Sequence, residues 1–87
     1  MSNEWESGLR EKLDQHYAWP AVYIFKFIVP SETKDRVIAL FPRHHVRQKE
    51  SGKGKYTGLT IEMMMPSTDA VLDVYRLVRD IPGLIAL

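Results

Sequence analysis

The chain has 87 residues, of which 45% are hydrophobic and 26% are charged, a composition typical of one ordinary globular domain and not of a disordered chain. It contains no cysteine, which excludes disulfides, thiolate nucleophiles and cysteine-based metal or iron–sulfur sites. No apolar run approaches the roughly 18 residues of a membrane span, and the first residues lack the apolar core of a signal peptide. We therefore expect a cytoplasmic protein that does not enter a membrane.

The N-terminal segment, near residues 4–15, has the pattern of a short helix. Its apolar residues recur every four positions and share one stripe: Trp5, Leu9 and Leu13. Asn3 and Glu6 have the spacing of a capping box, in which each side chain bonds a backbone N–H group at the start of a helix. We interpret residues 1–18 as a helical extension of a domain formed by residues 19–87.

The run over residues 22–29 predicts the first strand, because it is aromatic and β-branched and Pro30 follows it. Its odd positions form a large apolar face: Tyr23, Phe25, Phe27 and Val29. Its even positions are also apolar, but Lys26 interrupts them. Because burying an unpaired charge is costly, we expect the odd face to pack against helices and the even face to lie on the other side.

A short helix and a hairpin follow the first strand. Ser31 is the predicted helix cap, and the apolar stripe of this helix is Val37, Ile38 and Phe41. Residues 43–50 are mostly charged, which is typical of an edge strand that is kept polar to discourage further pairing. Residues 51–55 contain two glycines and predict the turn, and residues 56–65 predict the third strand with its odd positions in the core.

The last elements are a helix and a short strand. Ser67 is the predicted cap, and the apolar stripe of the helix is Val71, Val74, Tyr75 and Val78. Residues 84–87 predict the final strand. The order β, α, β, β, α, β predicts an α+β fold, a ferredoxin-like βαββαβ plait. Its four-stranded antiparallel sheet has the order 4-1-3-2, with two helices on one face, and the short N-terminal helix is additional.

Two segments carry a family resemblance. The first runs from Trp19-Pro20 through the aromatic first strand, and the second is the hairpin sequence SGKGKYTGLTI over residues 51–61. Together they resemble the YbeD-like family, a bacterial domain of unknown function, over roughly residues 19–87. The resemblance implies a ferredoxin-like plait, similar to the ACT regulatory domains that sense amino acids in metabolic enzymes. It implies no established catalytic activity and no established ligand.

Basic residues concentrate in the hairpin over residues 43–55, although the whole chain has a net charge of only +1. The candidate anion- or partner-binding residues are Arg47, Lys49, Lys53 and Lys55. The glycines are two apart and precede a strand, which does not fit a nucleotide-binding P-loop, and the stacking aromatics of an RNA-recognition sheet are missing. The hairpin is therefore a solvated polar edge, a docking surface for an acidic protein, or a weak binder of nucleic-acid backbone.

The open face of the predicted sheet is the second candidate surface. Its candidate interaction residues are Ile24, Lys26, Ile28 and Tyr56. An exposed apolar patch favours a protein partner or self-association, through this face or the edge strand, unless the N-terminal helix covers it. The first hypothesis is a non-catalytic regulatory or protein-interaction module without a cofactor. The alternative is anion or nucleic-acid binding through the basic hairpin.

Catalysis and metal binding are not predicted. Acylphosphatases share the plait and use an arginine with an asparagine, but the chain's only asparagine is Asn3. No serine lies in a G-x-S-x-G elbow. His44 and His45 would point to opposite faces of a strand and so cannot chelate one ion, and His16 is the only other histidine.

Overall fold

The computed structural model describes residues 4–87, so the predicted capping role of Asn3 lies outside the described residues. In chain order the elements are α1 (Glu4–His16), β1 (Ala21–Pro30), a 3₁₀ turn (Ser31–Thr33), α2 (Lys34–Ala39), β2 (Arg47–Ser51), β3 (Tyr56–Met65), α3 (Thr68–Val78) and β4 (Ile85–Ala86). The antiparallel sheet has the order β2-β3-β1-β4, which confirms the predicted plait. Within residues 4–87, no helix combines the length and the apolar character needed to cross a bilayer.

The long pairing of β1 with β3 builds the core. The two strands pair from Ala21↔Met65 to Pro30↔Tyr56, with Phe25 opposite Ile61. The odd residues of both strands face the helices, and most of them are buried: Phe25, Phe27, Val29, Thr57, Leu59, Ile61, Met63 and Met65. Lys26 is exposed on the other side. The predicted face assignment of both strands is therefore confirmed.

The junction between β1 and α2 differs from the prediction. Ser31 does not cap a helix; its hydroxyl is 2.8 Å from the hydroxyl of Thr57. Thr57 is fully buried at a core position of β3, and a buried hydroxyl is costly without a hydrogen-bond partner. The Ser31 side chain therefore provides the hydrogen-bond partner that the buried Thr57 hydroxyl needs. A 3₁₀ turn starts the segment, and α2 itself is only six residues long.

The edge strand β2 begins later than predicted. The His44 N–H donates to the Phe41 carbonyl at 3.1 Å, closing a turn in the connection between α2 and the sheet. His44 and His45 therefore precede the strand, and the alternation argument made for them does not apply. All five residues of β2 are exposed. Among the described residues, no three His, Asp or Glu side chains are grouped to hold a metal ion.

The turns that flank the last two strands require glycine. In the hairpin, Gly52 and Gly54 have φ of 61° and 84°, a left-handed region that glycine enters without steric cost. Gly83, before β4, has φ of 74°, and a Cβ atom there would lie 2.7 Å from Cγ of Pro30. β4 is shorter than predicted, but the Leu87 N–H still donates to the Lys26 carbonyl at 2.9 Å.

Helix α1 packs beside α3 and leaves the open face of the sheet uncovered. Leu13 of α1 is buried in the core, while Trp5 at the helix start is 45% exposed. The Trp19 indole N–H donates to the Thr68 hydroxyl at 2.8 Å, and that hydroxyl donates to the Asp14 carboxylate at 2.6 Å. This chain of hydrogen bonds joins the end of α1 to the start of α3. The sequence had left the position of the N-terminal helix open.

Helix α3 confirms its predicted cap and widens its predicted stripe. The Ser67 hydroxyl accepts from the Ala70 N–H at 3.1 Å. Thr68 and Leu72 are buried as well as the predicted Val71 and Val78. α3 is covered on two sides, because the sheet lies against one and α1 against the other. Ion pairs from α1, such as Arg10 with Asp69 at 2.6 Å, line the contact.

Replacing Phe25 by alanine should destabilise the fold far more than replacing its neighbour. Phe25 is fully buried, so Phe25→Ala should lower the free energy of unfolding by about 3–5 kcal/mol through lost contacts and a cavity. Lys26→Ala, on the exposed face, should change it by less than about 0.5 kcal/mol. Chemical denaturation measures both, and a larger loss for Lys26→Ala would mean that the sheet faces are inverted.

Removing the Thr68 hydroxyl should uncouple α1 from α3. Thr68→Val keeps the shape of the side chain but leaves the Trp19 indole N–H without its acceptor, which we expect to cost about 1–3 kcal/mol. Thr60→Val, the same change on the open face of the sheet, is the control and should be nearly neutral. Equal thermal stability of the two variants would show that these hydrogen bonds do not hold α1 in place.

Candidate functional site

The sheet face opposite the helices carries five of the eight large exposed hydrophobic side chains among the described residues. Its large exposed side chains are Val22, Ile24, Tyr56, Met64 and Ile85. Of the predicted face residues, Ile24, Lys26 and Tyr56 are exposed, and Ile28 is half-buried. The structure thus brings the predicted face residues together on one surface.

This open face is apolar at its two ends and polar in the middle. At one end Val22 lies opposite Met64, and the pair are 51% and 65% exposed. At the other end Ile28 lies opposite Ile85 of β4. Between them Lys26 pairs with Thr60. A partner that covers the whole face must therefore match two apolar contacts separated by a positive charge.

Lys26 and Lys49 line one shallow depression on the open face, although the sequence placed them in two different candidate sites. The register explains their proximity, because Lys49 lies opposite Gly58 and Gly58 lies opposite Ile28, next to Lys26. Gly58 has no side chain to fill the space above it, and the depression measures about 300 Å³. The two lysines in its lining make it a candidate anion site.

Arg47 is already paired. Its guanidinium lies 3.1 Å from the Glu62 carboxylate on the neighbouring strand, and both side chains are more than half exposed. An exposed pair of this kind stabilises the fold by less than about 1 kcal/mol. It nevertheless neutralises the Arg47 charge locally, so this residue contributes less to anion binding than the sequence predicted.

The remaining hairpin lysines point to different places. Lys53 lies at the tip of the turn, where its φ is 58°. Lys55 borders a separate depression with Tyr56 and Glu32. The backbone beneath Lys55 is anchored, because its carbonyl accepts from the Ser31 N–H at 2.9 Å. The four predicted hairpin cations therefore do not converge on one site.

On the helical side, an aromatic cluster contains a hydroxyl pair that the sequence did not predict. The hydroxyls of Tyr23 and Tyr75 are 2.9 Å apart, and the Tyr75 ring packs edge-on against Phe25 and Phe27. Burial raises the pKa of the Tyr75 hydroxyl above its ordinary value, and the hydrogen bond with Tyr23 raises this pKa further. The Tyr75 hydroxyl therefore stays protonated and neutral. Only the three-dimensional packing brings β1 and α3 close enough for this contact.

Comparison with known proteins gives a family but no individual relative. Neither a curated protein nor a solved structure matches the chain. A family model described as a protein of unknown function (DUF493) matches residues 14–87, including the last part of α1 and all of the sheet. Because this match covers most of the chain, the protein belongs to the DUF493 family, which is the YbeD-like family that the sequence resembles.

Proposed function

We propose that this protein is a non-catalytic interaction module that docks an acidic protein partner on the open face of its sheet. The observation that carries the proposal is the uncovered face itself, with exposed apolar side chains on both sides of Lys26. A patch of this kind on a small protein is typical of a partner surface. The positive centre of the face gives the partner its complementary charge.

Charge favours a different protein over a second copy of this chain. The open face carries three cations, Lys26, Arg47 and Lys49, against the single carboxylate of Glu62. A twofold dimer through the middle of the face would bring Lys26 close to its own copy, and like charges facing each other oppose association. An acidic group on a partner would pair with Lys26 while apolar side chains cover the two ends.

A regulatory role would be exerted through this complex. The ACT-like regulatory function rests on the likeness of the fold, and a shared fold does not by itself carry a shared function. The docking surface is independent of that analogy, because it rests on the exposure and charge of named residues. Regulation requires in addition that binding to this protein alter the activity of the partner.

Truncating an apolar residue on the open face should weaken the complex selectively. Ile24 and Leu77 are 48% and 50% exposed, but Leu77 lies on α3, away from the open face. Ile24→Ser should reduce recovery of the specific partner in quantitative affinity purification from the source cells, while Leu77→Ser should leave it unchanged. Lys26→Glu should abolish recovery, because it reverses the charge at the centre of the face. Lys12→Glu, the same reversal at an exposed position on α1, is the control and should leave recovery unchanged.

Three outcomes would contradict the docking proposal. One is equal recovery with Ile24→Ser and Leu77→Ser, which would mean that the open face is not the contact. Another is a complex that Lys26→Glu strengthens, which would mean a basic partner. A third is a stable homodimer in sedimentation equilibrium that Ile24→Ser dissociates, which would make a second copy the occupant.

The depression above Gly58 supports a second candidate, binding of a compact anion. No ion pair within residues 4–87 occupies Lys26 or Lys49, so both ammonium groups are available. A lysine ammonium is a compact point charge that suits a phosphate group. Because the other hairpin cations lie elsewhere, this site fits one small anion better than a nucleic-acid backbone.

Filling the depression should test the anion site without changing its charge. A Cβ atom at Gly58 would lie 3.6 Å from the Lys49 carbonyl, an ordinary contact, so Gly58→Val should fold. Gly58→Val should weaken pyrophosphate binding in an NMR titration, as should Lys49→Gln, while Lys53→Gln is the control. On duplex DNA, at most four phosphate contacts from the hairpin cations Arg47, Lys49, Lys53 and Lys55 would give a log–log salt slope no steeper than about −3.6. Unchanged pyrophosphate binding by Gly58→Val would exclude the shaped site.

A further inference from the structure

An apolar groove lies on the helical side of the molecule, between α1, α3 and β4. It measures about 400 Å³, within the size range of small-molecule sites. Its lining includes Trp5, Leu9, Tyr75, Val78, Arg79 and Leu84, and it extends along β4 to Leu87, which also borders the depression above Gly58. Neither the basic hairpin nor the open face contributes its candidate residues to this groove.

Arg79 is the charged residue of the groove. Its backbone is fixed at the end of α3, because its N–H donates to the Tyr75 carbonyl at 3.0 Å. Over the described part of the chain no carboxylate pairs with its guanidinium, whereas Arg76 one turn earlier bonds both Glu6 and Asp73. Arg79 therefore offers an unused set of donors, whose planar geometry matches a carboxylate.

Apart from Arg79, the side chains of the groove walls are uncharged: aliphatic residues and two aromatic ones, Trp5 and Tyr75. Trp5 is 45% exposed, which leaves part of its ring surface available to a ligand. Tyr75 contributes its ring, while its hydroxyl is engaged by Tyr23. A polar ligand would gain little on such walls. An apolar body would displace water from them, and an aromatic one would also stack on the indole.

We propose that this groove binds a small carboxylic acid with an apolar, aromatic body, whose carboxylate pairs with Arg79. The apolar body fills the space lined by Trp5 and Leu84. The proposal does not rest on the docking function of the open face, because Ile24, Lys26, Ile28 and Tyr56 do not line the groove. It names a class of ligand for a module whose small-molecule effector the sequence left open.

A pair of matched probes tests the proposal. Phenylbutyrate and its neutral amide, phenylbutyramide, have the same body and differ in charge. Both are titrated into the ¹⁵N-labelled full chain while the two tryptophan indole resonances are followed, with assignment by Trp5→Phe. We expect the Trp5 resonance to shift and that of Trp19, which is bonded to Thr68, to stay. The carboxylate should bind about tenfold more tightly than the amide.

A pair of matched variants tests the role of Arg79. Arg79→Gln should lower the affinity for phenylbutyrate about tenfold, to that of the amide, and should leave amide binding unchanged. Arg36→Gln removes the same charge from an exposed position on α2 and should change neither. Both arginines are exposed, so both variants should fold.

Four results would overturn the proposal. They are the absence of binding by either probe, equal affinities of the carboxylate and the amide, an equal loss with Arg36→Gln and Arg79→Gln, and shifts confined to residues of the open face. Equal losses would mean that net charge, and not the groove, attracts the anion. Shifts on the open face would assign the probe to the depression between Lys26 and Lys49.

Discussion

The structure depends on the antiparallel pairing of β1 with β3. Side chains alternate between the faces of a strand, so the register that sets Phe25 opposite Ile61 also sets Lys26 opposite Thr60. The first pair is buried under the helices, and the second lies on the open face. A slip of one residue would bury Lys26 and expose Phe25, so core burial and the open surface are fixed by the same hydrogen-bond ladder.

Helix α1 determines which surfaces remain available. It packs against α3, with Leu13 in the core and Asp14 bonded to Thr68, and so it covers a helix and not the sheet. The open face stays exposed as a result. The same position sets Trp5 and Leu9 across from Tyr75, which creates the groove. Both candidate binding surfaces therefore follow from one helix–helix contact.

Local sequence patterns correctly predicted the features that depend on residues close together in the chain. The alternation of β3 and the Ser67 cap depend on neighbours in the chain, and both were found as predicted. Ser31 was misassigned because its partner, Thr57, lies on another strand. The Lys26–Lys49 depression and the site of α1 also depend on contacts between distant segments. A single sequence contains the residues that form such contacts, but it does not indicate which distant residues pair with each other.

The turn before β4 shows how narrowly the last strand is positioned. Gly83 passes so close to Pro30 that any side chain there would collide with the proline ring, and its backbone conformation already disfavours other residues. Sterics and backbone conformation therefore select glycine at position 83 during evolution. The exposed Pro82 beside it is not under the same constraint. A relative without glycine at this turn must therefore rebuild the junction between its first and last strands.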